Sequence, residues 1–155
     1  MQNKAKIKVS FDFDDTLSNP AVQKFADKLM QNKLLEIWIV TSRLDNESFD
    51  LKYGNGFKFN SNEDLFEIAG QLKIPKTRIV FTNMEWKYMF FKNKDFAIHI
   101  DDLPQELEYI RSGTSMFCVD VLNKDWKRQT NKLIKKITAE KQNLISIETG
   151  VVHHQ

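Results

Sequence analysis

Two aspartates separated by one residue, Asp12 and Asp14, close the short apolar stretch Ile7-Lys8-Val9-Ser10-Phe11. Side chains at i and i+2 of an extended segment point the same way, so both carboxylates are expected to face one spot, with Phe13 turned away. Like charges that close repel unless a cation or a proton lies between them. The pair therefore suits a hard metal ion and acid–base work. Three further apolar runs end on polar residues: Thr41, Thr82 and Asp101, the last followed by Asp102.

These groups need elements to position them. Five apolar runs, 7–11, 35–40, 78–81, 96–100 and 116–119, are predicted as strands. Residues 35–40 are continuously apolar, as in a parallel strand covered on both faces. Lys4, Lys6 and Lys8 alternate with Ala5, Ile7 and Val9, which predicts a half-exposed first strand rather than a central one. Helical patterns lie between the runs. Asn19 can cap a helix with Pro20 at its first position and Ala21, Val22, Phe25, Ala26 and Leu29 as its stripe. Ser61 and Asp64 form a capping-box-like start, followed by Leu65, Ile68, Ala69 and Leu72. A shorter helix is expected over 85–91, another over 104–111 ending at Gly113, and a last one over 124–141.

Strands alternating with helices predict an α/β fold: a three-layer, Rossmann-like, parallel five-stranded sheet with helices on both faces. Ligands in such sheets bind at the carboxyl ends of the strands, near the point where strand order reverses. Asp12, Thr41, Thr82 and Asp101 all fall there. The length suits one domain, residues 1–155, with its core over about 5–122.

Composition excludes several classes. No apolar stretch is long enough to span a bilayer, so no membrane partner is expected, and residues 1–4 lack the core of a signal peptide. The single cysteine, Cys118, sits in an apolar run and reads as a packing residue in a reducing, cytoplasmic setting. A formal net charge of +2 gives no global nucleic-acid signal. His99 alternates with Ile98 and Ile100 and reads as packed. His153-His154 is a weak metal signal, and Tyr53-Gly54-Asn55-Gly56-Phe57 reads as a turn rather than a phosphate loop.

The string of apolar residues followed by Asp12-Phe13-Asp14-Asp15-Thr16-Leu17 resembles the first motif of the haloacid dehalogenase-like (HAD) phosphohydrolases. Thr41, Lys87 and Asp101-Asp102 follow in the order of that superfamily's remaining motifs, so the resemblance covers about residues 5–122. It implies a phosphomonoesterase in which Asp12 attacks phosphorus and forms an aspartyl-phosphate. Asp14 would protonate the leaving oxygen and then activate water, a role that calls for a carboxyl pKa raised by burial and neighbouring carboxylates. Mg²⁺ would be held by Asp12, the Asp14 backbone carbonyl and Asp101, with Asp102 beside it. Thr41 would bind a phosphoryl oxygen, with Ser42 as the neighbour able to replace it. Lys87 would offset the negative charge, with Lys92 and Lys94 as rivals. Arg43 is a candidate contact to a substrate group.

Each residue also has a plain structural reading. Thr41 can cap the following turn, Lys87 can be a solvated helix lysine, and Asp101-Asp102 can cap the next helix. About seventeen residues between Arg43 and the helix near Ser61 leave no room for a cap domain. Capless relatives act on bulky phosphates, and the strings Val40-Thr41-Ser42-Arg43 and 98–102 resemble the phosphatase domains of polynucleotide kinase-phosphatases. The basic face of the last helix, Lys124 to Lys141, could meet a phosphate backbone, although its apolar stripe already explains it. A metabolite or nucleotide phosphatase with an oligomeric lid, and a non-catalytic binding protein on the same fold, are the alternatives.

Overall fold

The computed structural model describes residues 5–54 and 62–148. Five parallel strands form one sheet: β1 (Ile7–Phe11), β2 (Leu35–Thr41), β3 (Ile79–Phe81), β4 (Phe96–Asp101) and β5 (Phe117–Asp120), in the order β3-β2-β1-β4-β5. The helices are α1 (Pro20–Met30), α2 (Asn46–Tyr53), α3 (Glu63–Gln71), α4 (Lys87–Phe91), α5 (Pro104–Gly113) and α6 (Trp126–Glu148). The predicted α/β architecture with a Rossmann-like parallel sheet is the one observed.

Two apolar clusters lie on the two faces of the sheet. Val9, Phe11, Ile37, Ile39, Ile98 and Ile100 meet α1, α3 and α6 through residues such as Phe25, Leu65 and Trp126. Val40 and Phe96 meet α4 and α5 through Phe91 and Ile110. Burial on both faces explains the nearly continuous apolar runs of β2 and β4. The chain lays β1, β2 and β3 outward in one direction, then crosses back to place β4 on the other side of β1. Strand order therefore reverses between β1 and β4, and the Asp12 N–H donates to Ile100 O at 2.9 Å across that junction.

The half-exposed reading of the first strand is corrected: β1 is central, paired with both β2 and β4. Lys8 is accommodated because its amine reaches out over the Trp38 and Phe96 rings, 5.6 and 5.4 Å from their centroids, and pairs with Asp95 at 2.9 Å. A lysine stem can cover apolar surface while its head stays wet. Lys6 lies before the strand and is exposed.

Local signals hold at α1, where the Asn19 side chain accepts from Ala21 N and Pro20 opens the helix. Asn62 occupies the N-cap position of α3, and Ser61 lies outside the described residues, as do Asn55 to Phe57 of the expected turn and His153-His154. Two boundaries shift. α4 begins at Lys87 rather than 85 because Trp86 is extended, with ψ 135°, and stands as its N-cap. α6 runs on to Glu148, past the expected end near 141. The eight-residue α2, which buries no side chain, was not expected. Cys118 is half-buried, its Sγ lies 3.6 Å from Leu107 O, and burial pushes its thiol pKa up to about 11, consistent with packing rather than nucleophilic work. No described helix is long and apolar enough to cross a membrane.

Candidate active site

The carboxyl ends of β1 and β4 bring Asp12 and Asp101 together, and α4 delivers the amine of Lys87 between them. Lys87 Nζ donates to Asp12 Oδ1 at 2.7 Å and to Asp101 Oδ2 at 2.6 Å. Glu106 of α5 completes the cage, with Oε2 at 3.7 Å from the amine and Oε1 accepting the Lys87 backbone N–H at 3.1 Å. All four side chains are buried. A lysine so placed needs several partners, because burying an unpaired charge is costly. Burial works against the charged amine, but the facing Asp12 and Asp101 outweigh it and raise its pKa.

The carboxylates divide. Burial pushes Asp12 up to about 8, helped by the facing charge of Asp101 and opposed by Lys87. Burial acts upward on Asp101 too, but His99 and Lys87 together overcome it and hold the group below the ordinary carboxylate range. Glu106 is raised by burial, with Lys87 partly offsetting the effect. Opposite shifts in neighbouring acids are what separates a proton-bearing group from an ionised one.

Asp101 is fully committed. Its Oδ1 accepts the backbone N–H groups of Asp102 and Leu103 at 2.8 and 3.1 Å, and its Oδ2 faces both Lys87 and His99 Nε2. Burial lowers the pKa of His99. Its Nε2 is hydrogen-bonded to Asp101 Oδ2 at 2.8 Å and its Nδ1 to the Ser10 hydroxyl at 2.7 Å. His99 is thus packed, as expected, but it is also a hydrogen-bonded support of the cluster.

Asp102 is more open. Its Oδ1 lies 3.2 Å from Thr16 Oγ1, which also lies 3.3 Å from Asp12 Oδ2, so one buried hydroxyl serves the two carboxylates. Asp12, Asp101 and Asp102 each offer an oxygen within 4.8 Å of the others, a group able to hold a metal ion. Three hard oxygen donors suit a hard divalent cation.

Asp14 does not follow Asp12 into this group, and the expected shared spot is corrected. The strand ends at Phe11, and residues Phe13–Leu17 form a tight turn with Asp15 at φ 58°. The i, i+2 rule holds only while the chain stays extended. Asp14 faces outward, its side chain 54% exposed, and its neighbour is a guanidinium rather than a carboxylate. Arg43 grips both Asp14 oxygens, Nε to Oδ2 at 2.9 Å and NH2 to Oδ1 at 2.8 Å. The same guanidinium grips Asp64 of α3 at 2.8 and 2.9 Å and lies 4.9 Å from the Phe13 ring centroid. Arg43 holds Asp64 below its usual pKa, and its own pKa is raised by the two carboxylates. This double fork is the bidentate geometry in which arginine is strongest.

Thr41 is buried at the end of β2, and its hydroxyl oxygen accepts the Arg43 N–H at 3.3 Å, so it does cap the turn. Ser42 is half-buried, and its carbonyl accepts Met84 N–H at 2.7 Å. Thr82 spends its hydroxyl on Glu85 O at 2.7 Å. Lys92 is exposed and Lys94 donates to Phe90 O, so neither joins the cluster.

Sequence reasoning missed Glu106, the Ser10–His99 support and Asp64. Only the i, i+2 spacing of His99 and Asp101 on a strand was available as a signal. No family model, no curated protein and no solved structure matches the chain.

Proposed function

We propose that this chain is a capless, Mg²⁺-dependent phosphomonoesterase of the HAD type. The observation that carries the reading is the buried Lys87 bridging Asp12 and Asp101 at the switch point of a parallel sheet, with Asp102 and Thr16 beside it. A buried acid of raised pKa, an ionised acid and a lysine converging at a strand end are a costly arrangement for a fold and a serviceable one for chemistry.

Asp12 attacks phosphorus, and the phosphoryl group passes to its carboxylate as the ester oxygen leaves. Asp101 holds Lys87 in place, and Lys87 offsets the negative charge of Asp12 and the phosphoryl group. Asp12 and Asp102, whose oxygens carry fewer protein contacts than those of Asp101, are the open donors for the cation. The cation, when bound, neutralises charge on the transferring group and favours the ionised form of Asp12. Thr41, at the carboxyl end of β2, would donate to a phosphoryl oxygen, with Ser42 beside it. Once Arg43 exchanges its grip on Asp14 for the arriving phosphate, the Asp14 carboxyl takes a proton from solvent, gives it to the leaving oxygen, and then accepts one from the water that hydrolyses the aspartyl-phosphate. A capless site draws binding energy from contacts away from the reacting group, which favours substrates larger than a bare phosphate ester.

Turnover of an aryl phosphate by the purified chain, silenced by EDTA and restored by Mg²⁺, tests the reading. Full activity without metal, or none with it on any phosphomonoester, rejects it.

A further inference from the structure

We propose that Asp64 is the positioning residue that sets this site's affinity for phosphate. It anchors one edge of the Arg43 guanidinium, so that the other edge, which Asp14 occupies at rest, is presented to the incoming phosphoryl group. The proposal rests on the phosphatase reading above and adds the residue that governs its ground-state binding. An arginine carries five N–H donors in a rigid plane. All five are committed here. Nε and one NH2 donor go to Asp14, at 2.9 and 2.8 Å. The second NH2 donor and one NH1 donor go to Asp64, at 2.9 and 2.8 Å, and the last goes to Asn62 Oδ1 at 3.3 Å. With no donor spare, an arriving anion gains this guanidinium only by displacing one of its partners.

The two edges are not equally held. Asp64 Oδ1 also accepts the Leu65 N–H at 2.8 Å, inside the first turn of a nine-residue helix, where an acidic side chain is favoured. Asn62 is 2% exposed, and its amide donates to Leu44 O at 3.0 Å and to Asn46 Oδ1 at 2.9 Å. The Asp64 edge is therefore tied to α3 and to the chain between β2 and α2. Asp14, by contrast, lies in the turn after β1, and among the described residues its carboxylate is hydrogen-bonded to Arg43 alone. The edge that lets go is the Asp14 edge. The face of the guanidinium is fixed as well, 4.9 Å from the Phe13 ring centroid, and the Arg43 backbone N–H is bound to Thr41 Oγ1 at 3.3 Å. Release of Asp14 thus leaves Arg43 in place, with Nε and NH2 donors side by side and open.

Asp14 at rest stands in for the ligand. A carboxylate and a phosphoryl group each offer two oxygens to the Nε/NH2 fork. The displacement that brings phosphate onto Arg43 also frees the acid that must reach the leaving oxygen. Without the Asp64 carboxylate the guanidinium keeps Asp14 as its one anionic partner and closes on it. Phosphate must then compete for an arginine that is no longer preorganised to receive it. Simple charge gives a different expectation. Removing either carboxylate removes a negative charge, which favours any anion. The sign of the Asp64 effect separates an anchor from a mere charge.

The test is titration calorimetry with inorganic phosphate at fixed Mg²⁺, on the wild type, Asp64→Asn, Asp14→Asn, Arg43→Met and Arg43→Met with Asp64→Asn. Asp64→Asn keeps an acceptor for the Leu65 N–H, and Asp64→Ser is the second variant should circular dichroism show the first unfolded. The phosphate Kd is expected to rise roughly three- to thirtyfold in Asp64→Asn, the range of one charge-assisted pair at a half-exposed site, and to fall in Asp14→Asn. On top of Arg43→Met, Asp64→Asn should change it by less than about twofold, because the anchor then has nothing to hold. In turnover of an aryl phosphate, most of the Asp64→Asn loss in kcat/KM should fall in KM. Tighter or unchanged phosphate binding in Asp64→Asn, a weakening that persists without Arg43, or a loss confined to kcat overturns the proposal. Opposite signs for the two aspartates without turnover of any phosphomonoester overturn the phosphatase reading and leave the Asp64 anchor standing. A wild type that binds no phosphate overturns both.

Discussion

Replacing Lys87 by Met tests the energetics of the cluster without reference to any substrate. The side chain is 3% exposed, and its amine is the only cation 2.6–2.7 Å from Asp12 and Asp101 among the described residues. Methionine fits the stem but leaves those carboxylates, and Glu106, facing one another with no compensating charge. Breaking a buried pair by removing one partner costs about 3–5 kcal/mol. For a domain of this size that is a fall of ~6–20 °C in melting temperature, at ~2–4 °C per kcal/mol. Thermal melts followed by circular dichroism, in EDTA so that no cation substitutes for the amine, measure it. Two further results must accompany the loss. Adding Asp101→Asn to Lys87→Met should recover part of it, since the ionised carboxylate left without its amine is gone. Acidification should also recover part, because the orphaned carboxylates have folded pKa values above their unfolded ones. Stability is then lost as pH rises between those limits and returns as it falls. A Lys87→Met protein within about 1 kcal/mol of the wild type would show that the lysine is not held as described.

Three other outcomes follow from the same geometry. In metal-free buffer, Asp12→Asn should stabilise the fold increasingly as pH rises from about 4 towards about 8. Over that range the folded carboxyl keeps a proton that the unfolded one loses, so wild-type stability falls with pH; melts across a pH series check the sign. Adding Mg²⁺ should raise the melting temperature of the wild type and much less that of Asp12→Asn, by mass action on the folded state. Arg43→Met should cost only about 0–2 kcal/mol, because the Asp14 and Asp64 side chains are more than half exposed, while lowering kcat/KM more than tenfold; equal losses in stability and activity would reduce Arg43 to a structural clamp.

The sheet was legible because its strands bury both faces and therefore read as apolar runs between amphipathic stretches, and Asn19-Pro20 marks α1 through chemistry local to the chain. The centrality of β1 was not legible, because Lys8 satisfies its charge with Asp95, eighty-seven residues away. The meeting of Asp12 with Asp101 follows from both standing at strand ends, but whether those strands are neighbours is set by topology. The partners that no local pattern reveals are those recruited across the fold: Glu106 to Lys87, Ser10 to His99, and Asp64 with Asp14 to Arg43. Asp14 was misplaced because strand periodicity was carried past the strand's actual end at Phe11 and into the turn that follows.

The central claim is that Asp12 is the residue that takes the phosphoryl group. Acid quenching during turnover of an aryl phosphate in Mg²⁺, followed by mass spectrometry of the chain, reads it directly. The account predicts one phosphoryl group on Asp12 in the wild type, none in Asp12→Asn, and at least about a thousandfold loss of turnover in that folded variant. Near-normal turnover by Asp12→Asn, or a phosphoryl group on another residue, would contradict it.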